Sequence, residues 1–221
     1  MTKRGAGRAL PADPDPGAEA QLLDAAERCF AAAGYAGARM RDVAKLARVS
    51  LATLYQRYPN KEALYAAVHA RRLEALMPRV RAATAAAGSP LERLLAGLRT
   101  TVAFHTEHAD YLAVHLREVA AWWAPSELRS DAQLGAWNRG QRDMVAAFEQ
   151  GMADGVFVIE DPVFLTRATH AITQVALARW VEGGMTMAPT ELGLRVCRQI
   201  IRAFCVPERT AELLARHGGG P

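Results

Sequence analysis

No apolar run in the 221 residues is long enough to cross a bilayer as a helix, which takes about 20 residues. Met1 to Gly17 lacks the apolar segment of a secretory signal. It is basic at Lys3, Arg4 and Arg8 and then rich in proline. The chain is therefore expected to be cytoplasmic and off the membrane. Cysteine is scarce: Cys29, Cys197 and Cys205 are odd in number and far apart. That excludes a disulfide framework and suits reduced, packed thiols. No cysteine or acidic partner completes a metal-ligand set with His105, His108 and His115, so no metal or cofactor is expected. Nucleophile motifs, phosphate-binding glycine loops and paired metal-ligand helices are also missing, and an enzyme is not expected. Neither strand-like alternation nor internal repeats occur.

What is present is helical periodicity, with 51% hydrophobic residues and a net charge of +4. Leu22, Ala26, Phe30 and Ala33 form a stripe over about 18–33. A long amphipathic segment from Lys61 to about Ala87 contains Pro78, which predicts a kink. Ser89 and Pro90 are a cap and a first helical residue, followed by Leu91, Leu94, Leu98 and Val102. Further helices are predicted over about 110–121, from beyond Ser126 to about 153, over 162–182 and over 189–205. Cap and stop residues mark their ends, among them Gly155, Asp161-Pro162, Gly183-Gly184 and Pro207. The fold class is all-α. The expected division is a basic arm at 1–17 without fixed structure, a small head at 18–64, a helical body at 65–207 and a C-terminal tail at 208–221. The arm reads either as a groove- or phosphate-contacting tail or as a plain solvated one.

The head carries the most specific pattern. Met40, Val43, Ala44 and Ala47 line one face of a short helix, and Arg39, Arg41, Lys45 and Arg48 lie off it. Ser50 is placed to cap a second short helix, about 51–57, anchored inward by Leu54 and Tyr58. Asn60 caps a third, with Glu62 in its first turn. Two short helices joined by a tight turn make a helix-turn-helix, whose second helix enters the major groove of DNA. From Arg39 to Lys61 six basic residues face one acid, Asp42, which suits a phosphate backbone. Base-edge readers must sit on the second helix, so Leu51, Ala52, Thr53, Gln56 and Arg57 are candidates.

Residues from about Gln21 to Val68 resemble the DNA-binding domain of the TetR (tetracycline repressor) family. The resemblance rests on Ala25-Ala26, Phe30, Gly34-Tyr35, Asp42-Val43-Ala44, Val49-Ser50, Thr53-Leu54-Tyr55, Tyr58, Lys61-Glu62 and Leu64. It implies that Ser50 to Arg57 is the recognition helix, with Tyr55 and Lys61 as phosphate contacts and Tyr58 beside them. Three positions depart from the pattern: Ala38 stands for a capping threonine, Arg48 for the glycine of the turn and Ala52 for a glycine. If the backbone at Arg48 is left-handed, it carries a strain of about 1–2 kcal/mol.

The resemblance further implies a repressor that dimerises to read a palindromic operator on double-stranded DNA and is released by a small-molecule effector. The dimer would form through the helices at about 162–182 and 189–205. Leu192, Val196, Ile200 and Phe204 make one stripe, which Leu194, Cys197, Ile201 and Cys205 widen; Ala168, Ile172, Val175 and Arg179 would face them. A helix this apolar is either core or interface. Polar residues that interrupt buried stripes mark a candidate effector pocket: His105, His108, His115, Gln141, His170 and Gln174, with Phe104, Trp137, Met144 and Phe148 as its apolar lining. Each is also what a satisfied core group looks like. Trp122-Trp123 is either a gate to this pocket or packing. An effector-independent DNA-binding dimer and a metal-dependent helical enzyme are the alternatives.

Overall fold

The computed structural model describes residues 16–117 and 131–219, with side chains over 17–117 and 140–219. Ten helices follow in order: α1 (Pro16–Gly37), α2 (Met40–Leu46), α3 (Leu51–Arg57), α4 (Lys61–Ala85), α5 (Pro90–Glu107), α6 (Ala109–Arg117), α7 (Asp131–Ala153), α8 (Pro162–Glu182), α9 (Pro189–Phe204) and α10 (Pro207–His217). Among the described residues there is no strand; one antiparallel bridge joins Phe157 to Cys205. Residues 1–15 of the arm and the Trp122-Trp123 pair lie outside the described residues, as does the side chain of Trp137, while 16 and 17 begin α1.

Local chemistry sets the helix ends. Ser50 Oγ accepts from the Thr53 amide (2.9 Å) and Asn60 Oδ1 from that of Ala63 (2.7 Å). Ser89 and Glu92 exchange bonds with each other's backbone in a capping box, and Asp161 accepts from the Val163 amide. The path of α1 breaks at Gly34, whose φ of 69° costs a residue without Cβ nothing. Pro78 is exposed, and α4 remains one element across it.

Two main cores result. The head core joins Leu22, Ala26 and Phe30 of α1 to Val43, Leu54 and, from α4, Leu64, Tyr65 and Val68. Val114 of α6 completes it. The head core thus draws on residues beyond 64 in α4 and on α6. The body core surrounds α5, which packs against α4, α7 and α9. The stripe of α9 is covered within the chain: Leu192, Val196, Cys197, Ile200, Ile201, Phe204 and Cys205 are all buried. Of the two readings of this stripe, core or interface, the chain's own packing matches the first. The stretch read as a tail from 208 carries α10, whose Leu213 is buried against the body.

Candidate functional site

On the head, α2 and α3 present a continuous exposed face. Arg39, Arg41, Lys45 and Arg48 are exposed around the turn; Ser50, Leu51, Ala52, Thr53, Tyr55 and Gln56 are exposed along the start and outer face of α3. Leu51 and Tyr55 are 42% and 47% exposed. The remaining three of the expected DNA-contacting residues are engaged by the protein. Arg57 Nη2 donates to Glu19 (2.5 Å). Tyr58 is buried and its hydroxyl donates to the same carboxylate (3.0 Å). Lys61 Nζ donates to the carbonyls of Tyr35 (2.6 Å), Ala36 and Ala38 (both 3.2 Å) and lies over the Tyr35 ring. The hydrogen bond from Arg57 holds the Glu19 carboxyl below the usual range. Burial, then the bond to Glu19, pushes the Tyr58 phenol up to about 12.

This tether makes a prediction. Glu19→Gln releases Arg57, so low-salt affinity for non-specific DNA should rise about threefold and the log–log salt slope should steepen by roughly one phosphate contact. Fluorescence anisotropy at several salt concentrations reads both; an unchanged slope would mean that Arg57 stays away from DNA.

The turn itself is strained. Arg48 has φ 58°, its amide donating to the Lys45 carbonyl (3.2 Å) and that of Val49 to Ala44 (3.0 Å). At the start of α2 the cap position is Arg39, one residue after the Ala38 read as the cap, and its side chain makes no capping bond. Arg48→Gly should raise stability by about 0.5–1 kcal/mol, the relief of left-handed strain less the greater freedom of an unfolded glycine. It should also make DNA binding weaker and less salt-dependent. Urea unfolding with the same salt titration checks the opposite signs.

The body encloses a cavity of about 480 Å³ among α4, α5, α6, α7 and α8. Of the expected pocket residues, His105, His115, Gln141, Met144, His170 and Gln174 line it. Phe104, His108 and Phe148 do not. His108 is satisfied locally through Nδ1 and the Phe104 carbonyl (2.7 Å) and stacks on the Phe104 ring. Phe104 packs with Leu76 and Tyr111, and Phe148 with Phe157 and Phe204 in the core. The wall from α4, with Leu73, Leu76, Met77, Val80 and Arg81, went unread in the sequence, as did Arg93 and Tyr111. Burial lowers the imidazole of His170 to about 4 and also depresses that of His105, against the bond to the Thr101 carbonyl. Both rings are neutral at pH 7. Gln174 Nε2 meets His115 Nε2, and the buried Gln174 Oε1 has no partner.

α6 joins the two sites. Val114 is in the head core while its neighbour His115 lines the cavity. An unbroken ring path continues from Tyr111 to His69 (5.5 Å), to Tyr65 (4.6 Å), and on to Phe30 and Tyr35 (4.9 Å each).

Comparison with known proteins agrees with both halves. Residues 22–68 match the bacterial regulatory proteins of the tetR family, and 87–204 match the tetracyclin repressor-like C-terminal domain. An uncharacterized HTH-type transcriptional regulator of Mycobacterium tuberculosis is 27% identical over 202 residues, covering 91% of this chain and 90% of the relative. The ketosteroid transcriptional regulator KstR2 of Mycobacterium tuberculosis shares the fold, with a TM-score of 0.72 at 19% identity, over 88% of this chain and 97% of that one. So does the transcriptional regulator FadR of Bacillus subtilis in complex with stearoyl-CoA, with a TM-score of 0.69 at 16% identity, over 82% and 97%. No helix among the described residues is long and apolar enough to cross a membrane. With an exposed basic helix-turn-helix on a helical body, and both halves matched, the chain belongs to the TetR family of DNA-binding transcriptional regulators.

Proposed function

We propose that this chain is a homodimeric repressor that holds a palindromic operator through α3 of each protomer and releases it when a small molecule fills the body cavity. The observation that carries this reading is the double membership of α4 and α6. Leu64, Tyr65 and Val68 of α4 belong to the head core, while Leu73, Leu76, Met77 and Val80 wall the cavity. Val114 and His115 divide in the same way on α6. A ligand that spreads the cavity walls therefore moves the footing of the head. Such coupling needs a ligand that binds the two states with different affinity, typically by about 1–3 kcal/mol.

Dimerisation is supported by α8. Phe164, Ala171, Val175 and Ala178 fall on one face at i, i+7, i+11 and i+14, and Phe164 and Val175 are 55% and 63% exposed. Of the four positions expected on this face, Ala168 and Ile172 instead pack against the chain's own core. The face is therefore rotated toward Phe164, with small alanines that let a second helix approach. A two-fold axis there matches the symmetry a palindrome demands. The structural neighbour in complex with stearoyl-CoA supports an elongated apolar guest in a body of this fold.

The test is a titration against a labelled fragment from upstream of the protein's own gene, with a scrambled duplex as control. Expected is a preference for the native fragment on the order of 10³-fold or more, falling steeply with added salt. Equal binding to both duplexes at every salt concentration would remove the operator from this reading. A ligand screen would then read loss of the specific complex.

A further inference from the structure

The cavity is polar at both ends and apolar between. It follows α5 from Arg93 to His105, a span of about 18 Å at the rise of an α-helix. Leu76, Met77, Leu94, Leu98, Met144 and Leu177 supply the middle. At the inner end, under the head, His105, His115, Gln141, His170 and Gln174 gather, and burial keeps His105 and His170 neutral. Gln174 is 5% exposed, and its Oε1 is a buried atom left without a partner at this end of the cavity. Such an atom is destabilising until something donates to it. At the outer end Arg81 is exposed and Arg93 half-buried. Neither has a carboxylate partner among the described residues; Arg93 donates to the Gln150 amide (2.6 Å). Asp143, between Gln141 and Met144 on α7, also lines the cavity and lies away from this mouth.

We infer that the cavity takes an elongated, largely apolar acid, or an activated ester of one, with a hydroxyl group at the end remote from the acid. The hydroxyl lies at the inner end, where it donates to Gln174 Oε1. Because a hydroxyl also accepts, it satisfies the Gln174 side chain in either orientation of the amide. The anion lies at the mouth between Arg81 and Arg93, where guanidinium donors are positioned for a carboxylate or a phosphate. At the inner end the buried His105 and His170 are neutral and offer a carboxylate no counterion, which disfavours entry acid-first. A plain fatty acid leaves the glutamine unsatisfied.

This inference rests on the cavity being the effector site, and calorimetry separates the two. The probes are hexadecanoic acid with a hydroxyl on its terminal carbon, hexadecanoic acid itself, and the methyl ester of the hydroxy acid. The hydroxy acid should bind about tenfold more tightly than either comparison compound. The rim substitution Arg81→Gln with Arg93→Gln, outside both cores, should abolish the preference of acid over ester and keep that for the hydroxyl. Gln174→Leu should do the reverse. Equal affinity of the hydroxy acid and hexadecanoic acid in the unaltered protein overturns the inference, as does an ester that binds as tightly as the acid, or no heat with any probe. The same titrations repeated on the operator complex test the effector reading. The expected affinity pattern without DNA release leaves the ligand assignment standing and removes the effector role. DNA release by a different compound, with none of these probes bound, does the opposite.

Discussion

Glu27→Ala should lower the free energy of unfolding by about 3 kcal/mol, far more than removing a surface carboxylate. Glu27 lies on α1 with 3% of its surface exposed. Its carboxylate accepts from Arg72 Nε and Nη2 (both 2.7 Å) and from Arg71 Nη2 (3.2 Å), which fixes α1 to α4. The pair need contribute little net stability for its loss to be large. Removing the acid strands a guanidinium that has 17% of its side chain exposed. A fully buried charge would cost about 3–5 kcal/mol, and the partial exposure of both arginines argues for the lower end. Arg71 keeps Asp24 (2.8 Å), so Arg72 bears most of the loss. Glu27→Gln, which retains an acceptor, should cost about half as much. Urea unfolding measures both; a drop below about 1 kcal/mol for the alanine variant would mean that Arg72 swings out to water.

Gly151→Ala should cost about 2–3 kcal/mol, although glycine to alanine inside a helix normally gains about 1 kcal/mol. Gly151 is buried on α7, and a Cβ built there lies 2.5 Å from Cε2 of Phe157 and closer still to Cδ2. The ring cannot retreat. Phe157 is 1% exposed, packs on Phe148 at 4.8 Å between centroids, and pairs through its backbone with Cys205. The Gly151 carbonyl also receives the amides of Val156 (2.8 Å) and Phe157 (3.2 Å), so the chain must turn back toward the helix here. Phe157→Leu removes the obstruction at the cost of a smaller core residue. The double variant should therefore be more stable than Gly151→Ala alone, a non-additivity that thermal unfolding of the four proteins would expose. Simple addition of the two losses would count against the steric account.

The head was legible because its signals are local. Ser50 and Asn60 cap the helices that immediately follow them, and Met40, Val43 and Ala44 need little more than one turn of helix to define a face. The cavity was only half legible. Periodicity identifies a buried face without telling whether it meets side chains or empty space, so Phe148 and His170 read alike although only the second reaches the cavity. His108 read as a pocket group because nothing in the sequence reveals that the Phe104 carbonyl one turn back satisfies it. The wall from α4 was assigned wholly to the connection with the head. The apolar stripe of α9 was plain, but whether the same chain or a second copy covers it depends on contacts between residues far apart in sequence. α10 presents little beyond Leu213 and Leu214 to a periodicity argument, too short a signal to set against a tail.

The placement of Val114 also bears on how the chain acquires its structure. The head core contains a side chain that follows Leu64 by fifty residues, on a helix reached only after α4 and α5 have formed their hairpin. The head therefore cannot close over its last buried position until half of the chain is available. Its folding is late and non-local for so small a helical unit, and its melting belongs to the same cooperative event as that of the body.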